Sequence, residues 1–383
     1  MAYSAPLSDY DVIFRHVVPL APVAATETFA EASEDMAQAV LAEAARLCED
    51  KLSQYQRNGD LHPAVLENGV VRTSPGFAEG HKAIGEGGWI GMSASPEHGG
   101  MGLPMTVTTA VNEMMSAACL SLQLNPLMTQ GQIEALEHHA SDAIKQTYLP
   151  KLISGAWAGT MNLSEPQAGS DVGALRTKAE PNNDGSYSIT GQKIYISWGD
   201  NDFTENVCHL VLARLPDGVP GTKGISLFLV PKYLPKEDGT PGVANDLRVV
   251  SLEHKMGLHG SPTAVMEYAG AKGWLVELGP GGGSKIEAQF SGPDPAVLQS
   301  LAQQAKDVFA EDEAAILVKD DWREQVPVIH PLYSETRARR LGVSREDVAE
   351  AFDRIATQPG AEPLDAAWAQ TRKFVEMAGR RRG

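Results

Sequence analysis

Met161-Asn-Leu-Ser-Glu-Pro-Gln-Ala-Gly-Ser-Asp171 is the stretch whose reading decides the fold. Trp157-Ala-Gly-Thr160 before it reads as the start of a strand. After it the chain turns at Gly169 and enters a hairpin carrying Tyr187-Ser-Ile-Thr-Gly-Gln-Lys-Ile-Tyr-Ile-Ser-Trp-Gly199. A strand end offers backbone N–H and C=O groups at fixed spacing. Ser164 and Ser197 add hydroxyls, and Leu163 and Tyr195 add apolar surface. That combination suits a flat heteroaromatic ring, which needs donors along one edge and an apolar platform beneath. Taken alone, the stretch reads first as an ordinary strand and polar turn.

Working outward, residues 157–276 are short alternating runs separated by turns, the pattern of a small antiparallel β domain. Asn183-Asp184-Gly185 is a strong hairpin signal. Val207–Arg214 and Ile225–Val230 read as strands, and Val265–Tyr268 and Trp274–Val276 as two more. Toward the N-terminus, residues 1–156 read as helical. A helix from Ser33 to about Tyr55 is expected to place Met36, Val40, Ala44 and Leu47 on one face. Thr73-Ser74-Pro75 predicts a helix start with serine as cap, ended by Gly85 and Gly87-Gly88. Pro96–Pro104 is a glycine-rich turn; no strand precedes it and no Gly-Lys-Ser/Thr follows, so it is not a phosphate loop. Further helices are expected at about 105–120 and 129–140, and a shorter one from Ser141-Asp142 that closes at Leu149-Pro150.

The chain has 383 residues, 43% of them hydrophobic, enough for two or three domains with a real core. A net charge of −17 argues against nucleic acid or an anionic membrane as partner, though a local pocket can still take an anionic cofactor. Cys48, Cys119 and Cys208 are scattered and form no metal or disulfide pattern, which points to a reducing cytoplasm. No apolar run is long enough to span a bilayer, and the first residues carry no signal-peptide pattern. Glu137-His138-His139 is read as a solvated surface group rather than a metal site, because adjacent residues diverge on a helix. His254 and His259 are read as turn or satisfied polar residues.

Leu-Ser-Glu-Pro-x-Ala-Gly-Ser-Asp171 followed by Lys193-Ile-Tyr-Ile-Ser197 resembles the flavin-binding segment of the acyl-CoA dehydrogenase family. The likeness continues through Glu205-Asn-Val-Cys-His-Leu-Val-Leu-Ala-Arg214, Gly221–Pro231 and Glu253–Ser261, and upstream through Glu86–Trp89, Pro96–Pro104 and Lys145–Gly155. The subfamily acting on methylmercaptopropionyl-CoA or a broad range of fatty acyl-CoAs is the most similar. The resemblance implies an FAD-dependent oxidoreductase of fatty acid metabolism. A carboxylate takes the proton alpha to the thioester and a hydride leaves the beta carbon for the flavin. It also implies an acyl-CoA substrate, an acceptor such as an electron-transfer flavoprotein, and a homo-oligomer. The family's flavin contacts fall on Met161, Leu163, Ser164, Tyr195 and Ser197, and its cofactor or substrate contact on Ser170. Gln167 stands where many members have glycine, and Pro262 follows Ser261 in the loop near the thioester.

The resemblance stops at Val276, where the family would continue into a bundle of four long helices that supplies the base. Residues 277–283 are a glycine-rich junction. Residues 284–356 predict a small α/β unit of βαββα order: a strand at Ile286–Phe290, a helix from Asp294-Pro295 to about Glu311, strands at Ala315–Val318 and Val326–Ile329, and a helix from Ser344. This unit resembles part of the porter domain of resistance-nodulation-division efflux transporters. Residues 357–383 read as a loop and a last helix, in which Glu376 is an exposed helical glutamate rather than a base. The expected fold class is α+β multidomain: a helical domain at 1–156, a flavin-facing β domain at 157–276, and the small α/β unit, with the family's bundle absent. The activity of this chain alone is therefore expected to be low. The alternatives are a non-catalytic truncated fusion protein or a junction of two reading frames.

Overall fold

The structure, a computed structural model, describes residues 3–277 and 295–310. The chain divides into two units, Met1–Glu287 and Ala288–Gly383. In the first unit, α1 (Leu7–Val12) and α2 (Ala21–Ala24) lead into α3 (Glu34–Leu47), which runs through a π-turn at Cys48–Leu52 into α4 (Ser53–Leu61). Ser33 caps α3 by accepting from the Met36 N–H at 3.1 Å, and Glu34 and Asp35 complement the helix N-terminus. The buried face of α3 is Ala37, Leu41, Ala44 and Ala45, so of the four expected residues only Ala44 is buried. The small alanines let α3 lie close to the long helix α6, and that contact sets the face.

Residues 65–72 are not helical. They form a hairpin, β1 (Val65–Glu67) with β2 (Val70–Arg72), turning at Asn68-Gly69 with both residues at positive φ. Helix α5 (Phe77–Glu86) starts later than expected. The Ser74 hydroxyl donates to the His62 carbonyl at 2.7 Å instead of capping, and the chain turns at Pro75-Gly76 first. Gly87 then caps α5 at its C-terminus. Helix α6 (Met105–His139) carries a kink at Cys119, so the expected pair of helices meets there with no loop between them. Helix α7 (Asp142–Ile153) runs past Pro150, because buried Leu152 and Ile153 hold its last turn against the core.

The β domain has nine strands: β3 (Trp157–Asn162), β4 (Lys178–Pro181), β5 (Tyr187–Ser197), β6 (Asn206–Arg214), β7 (Ile225–Pro231), β8 (Tyr233–Pro235), β9 (Pro241–Ala244), β10 (Leu247–Leu252) and β11 (Thr263–Glu277). The main sheet runs β10-β11-β5-β4-β6-β3, and β7 pairs with both β6 and β11. The path from β11 through β5, β4, β6 and β7 thus returns to β11, and the sheet curls around a core of Ile189, Val211, Phe228, Val230, Met266 and Tyr268. Two expectations are corrected. The sheet is mixed, because β3 pairs parallel with β6 from Trp157↔Asn206 to Asn162↔Val211. The two short runs at 265–268 and 274–276 belong to one strand, β11, whose register shifts near Gly270 absorb the curvature.

In the second unit the described helix α8 (Pro295–Ala310) matches the expected helix there. The glycine-rich junction, the other elements of the βαββα unit, and the loop and helix of 357–383 lie outside the described residues. Among the described residues no helix is long and apolar enough to cross a membrane.

Candidate active site

Strand β3 is seated on α6 through its backbone. The Gly159 N–H donates to the Thr129 hydroxyl at 2.9 Å, and a Cβ at Gly159 would lie 2.2 Å from Gln132 Oε1. A larger residue there would have to displace the Gln132 side chain. Trp157 anchors the strand start, edge-on to Tyr148 at 5.5 Å. At its other end, Thr160 Oγ1 donates to the Ser197 carbonyl at 2.6 Å, and the Ile194 N–H donates to the Ser164 carbonyl at 2.9 Å. Residues 160–164 therefore run alongside 194–197.

That pairing brings five of the six sequence-predicted residues, Met161, Leu163, Ser164, Tyr195 and Ser197, to one edge. Four are half-buried, and Tyr195 is 62% exposed. Tyr195 and Trp198 both have positive φ, 59° and 55°, which strains a side chain larger than glycine. Packing holds them there: Trp198 is fully buried and donates from Nε1 to the Ser121 carbonyl, and Ile196 is buried in the β core. The strained backbone turns Tyr195 out to the open side. The Ser164 N–H and the hydroxyls of Ser164 and Ser197 have no partner among the described residues. Free donors beside exposed apolar surface fit the edge and face of a flat ring.

Ser170, the sixth residue, is exposed on the loop after the Glu165–Ala168 turn, and no hydrogen bond joins it to the edge. The loop itself is tied down by Arg214. Its guanidinium donates to the carbonyls of Leu175, Gly173, Gly221 and Val219.

Sequence reasoning gave no role to the charges beneath this edge. Lys193 is fully buried, and its ammonium donates to Glu165 Oε1 at 2.8 Å and to the Leu163 carbonyl at 3.1 Å. Glu165 also accepts from the Thr177 N–H and hydroxyl, the Arg176 N–H and the Gln167 side-chain amide. Burial by itself raises the Glu165 pKa, but hydrogen bonds led by Lys193 outweigh it and hold the carboxyl down at about 2. Burial pulls the Lys193 ammonium the other way, toward the neutral form. The pair stays ionised because so many donors converge on the carboxylate. Gln167, the departure from the family pattern, supplies one of those donors. Lys193 stands among polar and apolar residues of β5 with no single alternating pattern, so no local signal marks it as buried.

A second buried network lies behind the edge. Tyr268 donates to Asn162 Oδ1 at 2.8 Å, and Asn162 Nδ2 lies 3.2 Å from His209 Nδ1. Burial, with Lys232 adding to it, lowers the His209 pKa to about 3, so the ring is neutral and Asn162 donates to it. On α6, the amide atoms of Asn125 and Gln132 are buried without a partner among the described residues. His138 and His139 are exposed, and Glu137 accepts from the Ser95 N–H. Among the described residues no group of three or more His, Cys, Asp or Glu side chains is arranged to hold a metal.

Residues 27–156 match the acyl-CoA dehydrogenase N-terminal domain, and residues 160–270 match the acyl-CoA dehydrogenase middle domain. Over 276 residues the chain is 46% identical to 3-methylmercaptopropionyl-CoA dehydrogenase of Ruegeria pomeroyi, a match covering 72% of this chain and 47% of that protein. Over 242 residues it is 38% identical to a butyryl-CoA dehydrogenase of Syntrophomonas wolfei, covering 61% of this chain and 40% of that one. The chain thus spans less than half the length of these relatives. Its fold is shared with a solved acyl-CoA dehydrogenase from Bacillus anthracis complexed with FAD, at a TM-score of 0.53 and 19% identity over 73% of this chain and 50% of that one. Nothing in these comparisons shows the expected likeness of residues 284–356 to a transporter porter domain. Over residues 27–270, the chain carries the N-terminal and middle domains of the acyl-CoA dehydrogenase family.

Proposed function

We propose that the chain provides the flavin-facing part of an FAD-dependent acyl-CoA dehydrogenase, which introduces a double bond between the alpha and beta carbons of an acyl-CoA thioester. The observation that carries this reading is the pairing of residues 160–164 with 194–197, which gathers the edge residues. When bound, FAD supplies the acceptor for the hydride lost from the beta carbon.

The chain's own residues divide the remaining work. The Ser164 N–H and the hydroxyls of Ser164 and Ser197 hold the ring's nitrogen and carbonyl edge. Met161, Leu163 and Tyr195 give it apolar contact and keep water from one face. Ser170, on the loop tied down by Arg214, contacts the cofactor or the thioester substrate. The substrate is a linear acyl-CoA, in keeping with the methylmercaptopropionyl-CoA and butyryl-CoA named for the relatives. The electron acceptor is a protein of the electron-transfer flavoprotein class. We assign no catalytic base among the described residues.

The test is anaerobic. The full chain is incubated with FAD, freed of excess, and mixed with a series of acyl-CoA chain lengths. Retained flavin that bleaches on addition of one or more of them is the expected result. No retained flavin, or flavin that no acyl-CoA bleaches, would overturn the reading.

A further inference from the structure

The buried ammonium of Lys193 does more than pair with Glu165. Its second bond is to the Leu163 carbonyl, and that carbonyl shares one rigid peptide plane with the Ser164 N–H. In a trans peptide the two groups point in opposite directions. Fixing the carbonyl inward onto Lys193 therefore fixes the Ser164 N–H outward. The next peptide is held as well, because the Ser164 carbonyl accepts from the Ile194 N–H. Both planes flanking Ser164 are locked, and the one backbone group of these planes without a partner among the described residues, the Ser164 N–H, faces the open side of the edge. A cation on the carbonyl also polarises that peptide and strengthens its N–H as a donor. Glu165 keeps the ammonium in place and is itself anchored to Arg176 and Thr177.

We propose that Lys193 is a positioning residue that aims and polarises the Ser164 N–H toward the carbonyl and nitrogen edge of a flavin ring. This rests on the reading that the edge binds FAD. A donor strengthened in this way stabilises negative charge on the ring, so it favours the reduced flavin as well as binding. Lys193 touches no reacting atom, and its effect reaches the ring through one peptide.

The experiment measures the FAD dissociation constant and the midpoint potential of the bound flavin on the full chain. The main variant is the double Lys193→Met/Glu165→Gln, which leaves no lone buried charge. Val230→Ala, in the β core and away from the edge, serves as a control for lost stability. The expected result is a dissociation constant raised on the order of tenfold, about the net value of one hydrogen bond to a charged or polarised group. The midpoint potential falls with it, while Val230→Ala stays within about twofold of wild type on both readouts. If the double variant does not fold, Lys193→Gln carries the test. Its neutral amide can still hold the Leu163 carbonyl but no longer polarises it, so the potential falls with little change in affinity. A folded double variant, or in its absence a folded Lys193→Gln, with wild-type affinity and potential would overturn the proposal. Failure of the wild-type chain to take up FAD would instead overturn the reading beneath it, and that result is seen without any variant.

Discussion

Replacing Glu165 by leucine removes the anchor of the buried pair while keeping side-chain bulk. Lys193 then has only the Leu163 carbonyl as partner, and the buried Thr177 N–H and hydroxyl lose their acceptor. Breaking a buried ion pair from one side costs about 3–5 kcal/mol, because the surviving charge stays in the interior. An orphaned buried donor adds about 1–3 kcal/mol, whereas the Arg176 N–H sits on an exposed residue and finds water. The expected loss is about 4–8 kcal/mol, a large part of the roughly 5–15 kcal/mol by which ordinary domains are stable. At about 2–4 °C per kcal/mol, the melting temperature falls by about 8–32 °C. Urea unfolding followed by circular dichroism gives the free energy, and adding Lys193→Met closes a double-mutant cycle. The double variant is expected to recover several kcal/mol, since apolar side chains replace both charges. A loss below about 1 kcal/mol for Glu165→Leu, or a cycle with no coupling, would refute the reasoning.

Three further outcomes follow from the same geometry. Gly159→Ala lowers stability by about 1–3 kcal/mol, because the new Cβ meets the buried Gln132 side chain and forces it to shift; an unchanged unfolding curve would show that the side chain moves aside without cost. Ser164→Ala weakens FAD binding by only about 1 kcal/mol, because it removes the hydroxyl and leaves the N–H; a loss of about 3 kcal/mol or more would count against the backbone as the main contact. Acid destabilises the fold in two windows. The pKa of His209 is about 3 in the fold against 6.5 in the unfolded chain, so its contribution is complete above pH 6.5 and declines as the pH falls toward 3. Glu165 adds stability that is complete above pH 4.5 and is lost as the pH falls through about 2. Unfolding free energy measured against pH should show the first decline reduced in His209→Gln, and a slope unchanged there would argue against a buried neutral ring.

The residues of the edge were legible in sequence because they lie within two continuous stretches, each read in one piece. Their convergence was not, since it depends on β3 pairing parallel with β6 and on Thr160 reaching across to Ser197. Nothing local encodes a partner so far along the chain. Lys193 hid for a different reason. Ile189, Gly191 and Lys193 follow a period of two, but the left-handed backbone at Tyr195 shifts that period before Ile196 and Trp198 turn inward. The strand therefore shows no single alternating pattern. The hairpin at 65–72 was open to reading, because Asn68-Gly69 between valine-containing runs is a strong two-residue turn signal. It was missed by extending the helical pattern across it. Helix α7 crosses Pro150 because burial of its last turn outweighs one lost backbone bond, a tertiary effect that residue preference does not carry.

The most direct test of the central claim is calorimetric titration of FAD into the full chain, alone and with Ser164→Trp. The serine hydroxyl has no partner among the described residues, and the Glu165–Lys193 pair lies beneath the edge, so an indole there is expected to project over the edge and leave the pair in place. The account predicts saturable binding of one FAD per chain to the wild type and none to the variant, with both proteins equally folded. FAD bound equally well by both would place the flavin elsewhere on the chain, and no saturable binding by the wild type would contradict the account outright.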